Sequence, residues 1–250
     1  MKSIFTLLLF VFAFGISECQ GNMVFLFEAS SNPGSSPDST TGDDVWSVAN
    51  SGGGGDFLGD SAANGGGSVA GAGSSAWGLF SNGNGGSSEM VASVTSLIGQ
   101  DISLTGEMIS LDFDNGFIGN GNSVGVQFLN GSGLQTELQF TGGDSEYRIF
   151  DGANVGTGVG FTADGLNLKV NLTDSNGGYQ FLINGVVVRT GNLASGAGID
   201  SIRVFNAGAG AGSDFDVFAN SLELTVVPEP ATIGTFGIAL AALVRRRRRV

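Results

Sequence analysis

Between its two ends the chain alternates apolar and polar positions with a period of two. In Glu107 to Asp114, Ile109, Leu111 and Phe113 share one face, and Ser110, Asp112 and Asp114 share the other. Val124, Val126 and Phe128 align within Ser123 to Phe128. In Leu134 to Phe140, Leu134, Leu138 and Phe140 oppose Gln135, Glu137 and Gln139. Leu166, Leu168, Val170 and Leu172 oppose Asn167, Lys169, Asn171 and Thr173. Successive side chains of a strand point to opposite faces, so each segment predicts an antiparallel strand buried on one side and wet on the other. Asn115-Gly116, Asn130-Gly131, Asp151-Gly152, Asp164-Gly165 and Asn184-Gly185 supply tight turns between such runs. The clearest hairpin runs from Tyr179 to Arg189 around Asn184-Gly185. Further strands are predicted at Met23 to Glu28, Trp77 to Phe80, Met90 to Thr95, Glu146 to Phe150, Ile199 to Phe205 and Asp214 to Thr225. About a dozen short strands at regular spacing predict an all-β antiparallel sandwich.

Residues 30–88 are rich in Gly, Ser and Asn, a composition shared with flexible linkers. Trp46, Phe57, Leu58, Trp77, Leu79 and Phe80 recur through them. Large apolar side chains need a core, so this stretch is read as short strands with long glycine-rich loops in the same domain. No fixed repeat period supports a solenoid.

The two ends depart from the alternation. Lys2 followed by Ile4 to Phe14 has the charged start and apolar run of a secretory signal, and residues 1–21 are assigned to it. Cys19 opens a lipoprotein reading, but Glu18 stands where that motif needs a small residue. At the other end, Val227-Pro228-Glu229-Pro230-Ala231 precedes an apolar stretch from Thr232 to Val244, and Arg245, Arg246, Arg247, Arg248 and Arg249 follow. The prolines forbid a continuous helix through the motif. As a helix, Ala231 to Val244 would be roughly 21 Å long, against a hydrocarbon core of about 30 Å. Such a short transmembrane helix suits a transient anchor, with the arginine block held inside as a stop-transfer signal.

Removing both ends changes the charge picture. The whole chain carries a net −13. Residues 22–230 keep only Arg148, Lys169, Arg189 and Arg203 as basic residues against twenty-two acids, a net of about −18. That balance excludes nucleic acid as a partner. Cys19 is the one cysteine, so no intramolecular disulfide can form. The absence of histidine excludes Ser-His-Asp and Cys-His catalysis and histidine-ligated metals.

Carboxylates are the remaining source of chemistry. Asp112 and Asp114, two apart on a strand, point to one face and make either a calcium site or a solvated face. Glu107 lies five residues from Asp112 on the opposite face of that strand, which does not make a glycosidase pair. Asp174-Ser175-Asn176-Gly177-Gly178 reads as a turn. Gly208-Ala209-Gly210-Ala211-Gly212 lacks the lysine and helix of a phosphate cradle and reads as a loop. Tyr147 and Phe150 are candidates for stacking on a sugar, with core burial the stronger expectation for Phe150.

The tail from Val227 through the arginines closely resembles the PEP-CTERM sorting signal of Gram-negative envelope and matrix proteins. The resemblance implies recognition by an exosortase-type membrane processing enzyme and transient residence in the inner membrane. In the body, Tyr179 to Arg189, Ile199 to Asn206 and Asp214 to Leu224 resemble strands of concanavalin A-like and laminin G-like jelly rolls. That implies two curved antiparallel sheets, often with a sugar-binding concave face. The expected organisation is a signal peptide at residues 1–21, a β-sandwich at 22–225 and a sorting signal at 226–250. The function expected is that of an exported, non-enzymatic structural or adhesive protein of the cell surface or biofilm matrix, associated with extracellular polysaccharide and needing no cofactor. A lectin-like module, with or without calcium, is the alternative, and a secreted glycosidase the third.

Overall fold

The computed structural model describes residues 22–31, 37, 45–64, 75–82 and 85–227. The signal segment, Pro228 to Ala231, the apolar stretch and the arginine block lie outside these residues. Among the described residues no helix is long and apolar enough to cross a membrane.

Fifteen strands carry the fold: β1 (Met23–Phe27), β2 (Ser47–Ser51), β3 (Gly54–Gly59), β4 (Ala76–Ser81), β5 (Ser87–Ser93), β6 (Met108–Asn115), β7 (Ser123–Asn130), β8 (Gly133–Thr141), β9 (Arg148–Phe150), β10 (Asn154–Gly156), β11 (Leu166–Leu172), β12 (Gly178–Ile183), β13 (Val186–Asn192), β14 (Ser201–Ala207) and β15 (Val217–Val226). A first sheet has the order β13-β12-β11-β6-β15-β4-β3, with β1 also paired to β15. A second has the order β10-β9-β8-β7-β14-β5-β2. Every ladder along these two strand orders is antiparallel. The expected all-β sandwich is thus present, and Val24–Val226 form one compact unit.

The alternation seen in the sequence builds the core. Ile109, Leu111 and Phe113 of β6, Val124 and Val126 of β7, and Leu168 and Val170 of β11 are fully buried. Two edge-to-face aromatic pairs join the layers. Phe128 of β7 meets Phe181 of β12 at 5.8 Å, and Trp46 meets Trp77 of β4 at 5.4 Å. Such pairs add about 0.5–1.5 kcal/mol to the gain from area burial alone.

The glycine-rich region contributes β2 and β3 to opposite sheets, where they pair with β5 and β4. Gly52 and Gly53 connect them with φ of 57° and 92°. A side chain at Gly52 would strike the Gly85 carbonyl, so the glycines are what permits a two-residue crossing between layers. The tryptophans flanking this region are core residues, which is why its composition does not make it a linker.

Some boundaries differ from the sequence reading. Val94 and Thr95 leave the strand and open a short helix, α1 (Val94–Ile98), because the Ser93 hydroxyl accepts from the Ser96 amide and Gly99 takes a left-handed cap. Glu107 is not on β6. It is buried in the preceding turn, where its carboxylate accepts from the Ser103 and Leu104 amides at 2.6 and 2.7 Å and from Gln100. The hairpin from Tyr179 to Arg189 is as expected, with Ile183 opposite Val186 across Asn184-Gly185, although β13 extends to Asn192.

A partly buried ionic network ties the far end of the first sheet to the loop after β9. Arg189 grips Asp151 through Nε and Nη2 at 2.8 and 3.0 Å, and the Tyr179 hydroxyl donates to the same carboxylate at 2.7 Å. The Asp151 side chain is 1 % exposed. Burial pushes its carboxyl upward, but the Arg189 and Tyr179 bonds outweigh that and hold it below the ordinary range. Arg189→Ala removes the cation from this partly buried pair and is expected to destabilise the fold by roughly 1–2 kcal/mol, read as a lower urea midpoint with an unchanged slope. Asp216 behaves oppositely: burial and the neighbouring Asp214 charge raise it from 3.8 to about 7. The folded state therefore holds a proton that the unfolded chain releases across that interval, and its contribution to stability falls as pH rises through about 7. The thermal midpoint of Asp216→Asn is expected to drop less than that of the wild type between pH 5 and pH 8.

Candidate functional site

The inward apolar positions of the second sheet determine its outward ones. Met90, Val126, Leu138, Ile149 and Val204 are buried between the sheets, so their neighbours Glu89, Gln127, Glu137, Phe150 and Arg203 project from the opposite surface. Register then assembles them. Arg203 on β14 lies opposite Val91 of β5 and Gln127 of β7; Gln127 lies opposite Glu137 of β8, and Glu137 opposite Phe150 of β9. The adjacent row runs Glu89, Phe205, Gly125, Gln139. Of these, Glu89, Gln127, Glu137, Gln139, Phe150, Arg203 and Phe205 line a groove of about 470 Å³.

Phe205 forms much of the floor and is only 8 % exposed. It lies beside Gly125, where an added Cβ would be 2.2 Å from the Leu138 carbonyl and 3.0 Å from the Phe205 ring. The glycine lets that ring settle against the sheet. Above it, the Arg203 guanidinium stands 5.8 Å from the ring centroid, within cation–π range. Arg203 also reaches Glu89 at 3.0 Å. Both partners of that pair are about one-third exposed, so it contributes little to stability and stays accessible from the groove. Glu137 is nearly buried and accepts from Gln127 at 2.7 Å. Desolvation raises its carboxyl, and the Gln127 bond and the Arg203 charge offset only part of that rise.

The residues singled out from the sequence are not those that form this groove. Asp112 accepts from Asn167 on β11 at 2.8 Å, whereas Asp114 is fully buried. Asp114 stands opposite Phe218, in a patch of the first sheet where Phe57 packs edge-to-face on Phe218 at 5.5 Å. The solvated-face reading therefore fails for Asp114, which is fully buried. No group of three or more Cys, Asp or Glu side chains converges as a metal site among the described residues. Asp174 closes a turn by accepting from Asn176 and Gly178. The stacking candidates exchange roles. Tyr147 is buried, donating to Asn115 at 2.6 Å, whereas Phe150 is half-buried and lines the groove. Ile149 takes the inward position of β9, which turns Phe150 out.

Glu89, Gln127 and Phe205 carried no separate signal in the sequence. Glu137 and Gln139 read as the polar side of one strand, and Arg203 as one of four cations. Their grouping depends on the order β8-β7-β14-β5, which joins segments far apart in the chain. One consequence is measurable. The Glu137 carboxyl is expected to titrate above 4.5, and Arg203→Gln should move it higher still by removing a nearby positive charge. Carboxyl-carbon NMR across pH 3–8 checks both shifts.

Comparison with known proteins identifies the tail and the fold. Residues 226–249 match the PEP-CTERM protein-sorting motif. No curated protein sequence matches the chain. Among solved structures, a carbohydrate esterase from Shiga toxin-encoding bacteriophage phi24B is similar, with a TM-score of 0.52 at 15 % identity over 82 % of this chain and 99 % of its own. Apo Crh5 transglycosylase aligns with a TM-score of 0.51 at 11 % identity, over 83 % of this chain and 85 % of its own. A sialidase aligns with a TM-score of 0.50 at 12 % identity over 74 % of this chain, which spans only 17 % of the sialidase. At these identities the likeness is one of fold. The chain thus joins a jelly-roll-type β-sandwich to a PEP-CTERM sorting motif, the mark of an exported, envelope-associated protein processed by an exosortase.

Proposed function

We propose that this protein is a non-enzymatic, adhesive component of the cell surface or extracellular matrix, and that it holds polysaccharide in the groove of the second sheet. The groove itself is the observation that carries this reading. It offers the partly exposed ring of Phe150 together with amide, carboxylate and guanidinium groups. Sugars present apolar C–H faces together with hydroxyls that both donate and accept. The half-buried Phe150 suits the first, while Gln127, Gln139 and Arg203 suit the second. Export through the sorting motif would bring the groove to where such polymers lie. The strongly acidic body favours solubility and limits non-specific association.

A non-catalytic role is favoured by how the groove carboxylates are engaged. Arg203 pairs with Glu89, and the charge on Arg203 also acts on Glu137, which is held by Gln127. Binding needs no metal in this account, so a chelator should leave it unchanged.

A glycan array probed with the purified protein, with and without chelator, tests the reading. Phe150→Ala and Gln127→Ala should each weaken binding about tenfold, the loss of roughly 1–1.5 kcal/mol from one stacking or hydrogen-bond contact. Binding unaffected by either change would move the site elsewhere. Polysaccharide shortened by the wild type but not by Glu137→Gln would replace adhesion with glycoside hydrolysis, the reading that the raised carboxyl of Glu137 would then support.

A further inference from the structure

A second hollow, of about 230 Å³, lies farther along β5 and is lined by other outward positions of that strand. Val48 packs into the core, so Ser47 faces outward; Met90 and Ala92 are buried, so Val91 and Ser93 face outward between and beyond them. Val91 lies opposite Ser47 on one side and Arg203 on the other. One strand therefore serves both cavities. It lends Ser87 and Glu89 to the groove, and Val91 and Ser93 to the hollow, which α1 closes with Ser96 and Leu97. From Glu89 to Ser93 the same-face positions extend about 13 Å at ~3.3 Å per residue.

The two cavities differ in chemistry. The groove contains Glu89, Glu137 and Arg203, whereas among the described residues that line the hollow none is charged. Its walls combine hydroxyls of Ser47, Ser93 and Ser96 with the apolar side chains of Val91 and Leu97. An anionic sugar placed there would meet no cation among the hollow's described lining residues, with Arg203 on β14 paired to Glu89, and would sit in the field of a body of net charge about −18. We propose that the hollow is an extension subsite, and that the two cavities together bind an internal segment of a neutral, linear polysaccharide laid along β5. This deepens the carbohydrate reading of the groove and rests on it.

Calorimetric titration of the full protein with laminari- and cello-oligosaccharides of two to six units, and with oligogalacturonates of the same lengths, tests the proposal. In a neutral series, affinity should rise at least tenfold from two units to six. Ser96→Trp, at an exposed position of α1, should fill the hollow and abolish that gain while leaving disaccharide affinity unchanged. Leu97→Ala, which opens the hollow, should reduce only the affinity for long chains. Affinity independent of length, a gain that survives Ser96→Trp in a variant with an unchanged thermal midpoint, or a preference for oligogalacturonates would each overturn the extension subsite while leaving the groove intact. Failure of every series, disaccharides included, would overturn the groove reading as well.

Discussion

Close packing between the inward faces of two antiparallel sheets governs everything else in this protein. Once Met90, Val126, Leu138 and Val204 must meet the residues of the facing sheet, the side chains between them have no choice of direction. A slip of one residue in β14 would bury Arg203 and expose Val204. Burial of the apolar positions thus sets the binding surface indirectly. The aromatic contacts between Phe128 and Phe181, and between Trp46 and Trp77, hold the layers at the spacing that keeps this register.

Much of the fold was legible because alternation is a local signal. The segments around Ile109, Val126, Leu138 and Val170 needed only their own neighbours to be read as strands. The Tyr179 to Arg189 hairpin needed only its Asn-Gly turn. The failures have equally physical causes. Ser47–Ser51 and Gly54–Gly59 are too rich in small residues to show a period, and they are strands because β5 and β4 offer them edges. Asp114 looks solvent-facing from its own strand, but it stands opposite Phe218 of β15 and is fully buried, a pairing between segments far apart in the chain. The groove was hidden for a similar reason: its residues are polar positions on five strands, and only the non-sequential strand order makes them neighbours.

Charged groups divide by task. Asp151, Arg189 and Tyr179 form a closed network that fastens the first sheet to the loop after β9. Glu107 spends its carboxylate on turn amides and Gln100. The groove is different. Arg203 and Glu89 are paired but partly exposed, and the nearly buried Glu137 keeps a carboxyl shifted upward by desolvation. Of the four cations in residues 22–230, Arg203 is thus the one that lines the groove in an otherwise acidic body. The sorting motif adds the remaining constraint, since it places this surface on an exported, envelope-associated protein.

The most direct measurement is amide and side-chain chemical-shift mapping of the labelled protein titrated with its best-binding oligosaccharide. The account predicts that the largest changes fall on Gln127, Glu137, Arg203 and Phe205, with Val91 and Ser93 joining as the chain lengthens. Changes centred instead on the exposed stacked pair Phe117 and Phe161, or on the outer face of the first sheet, would contradict it.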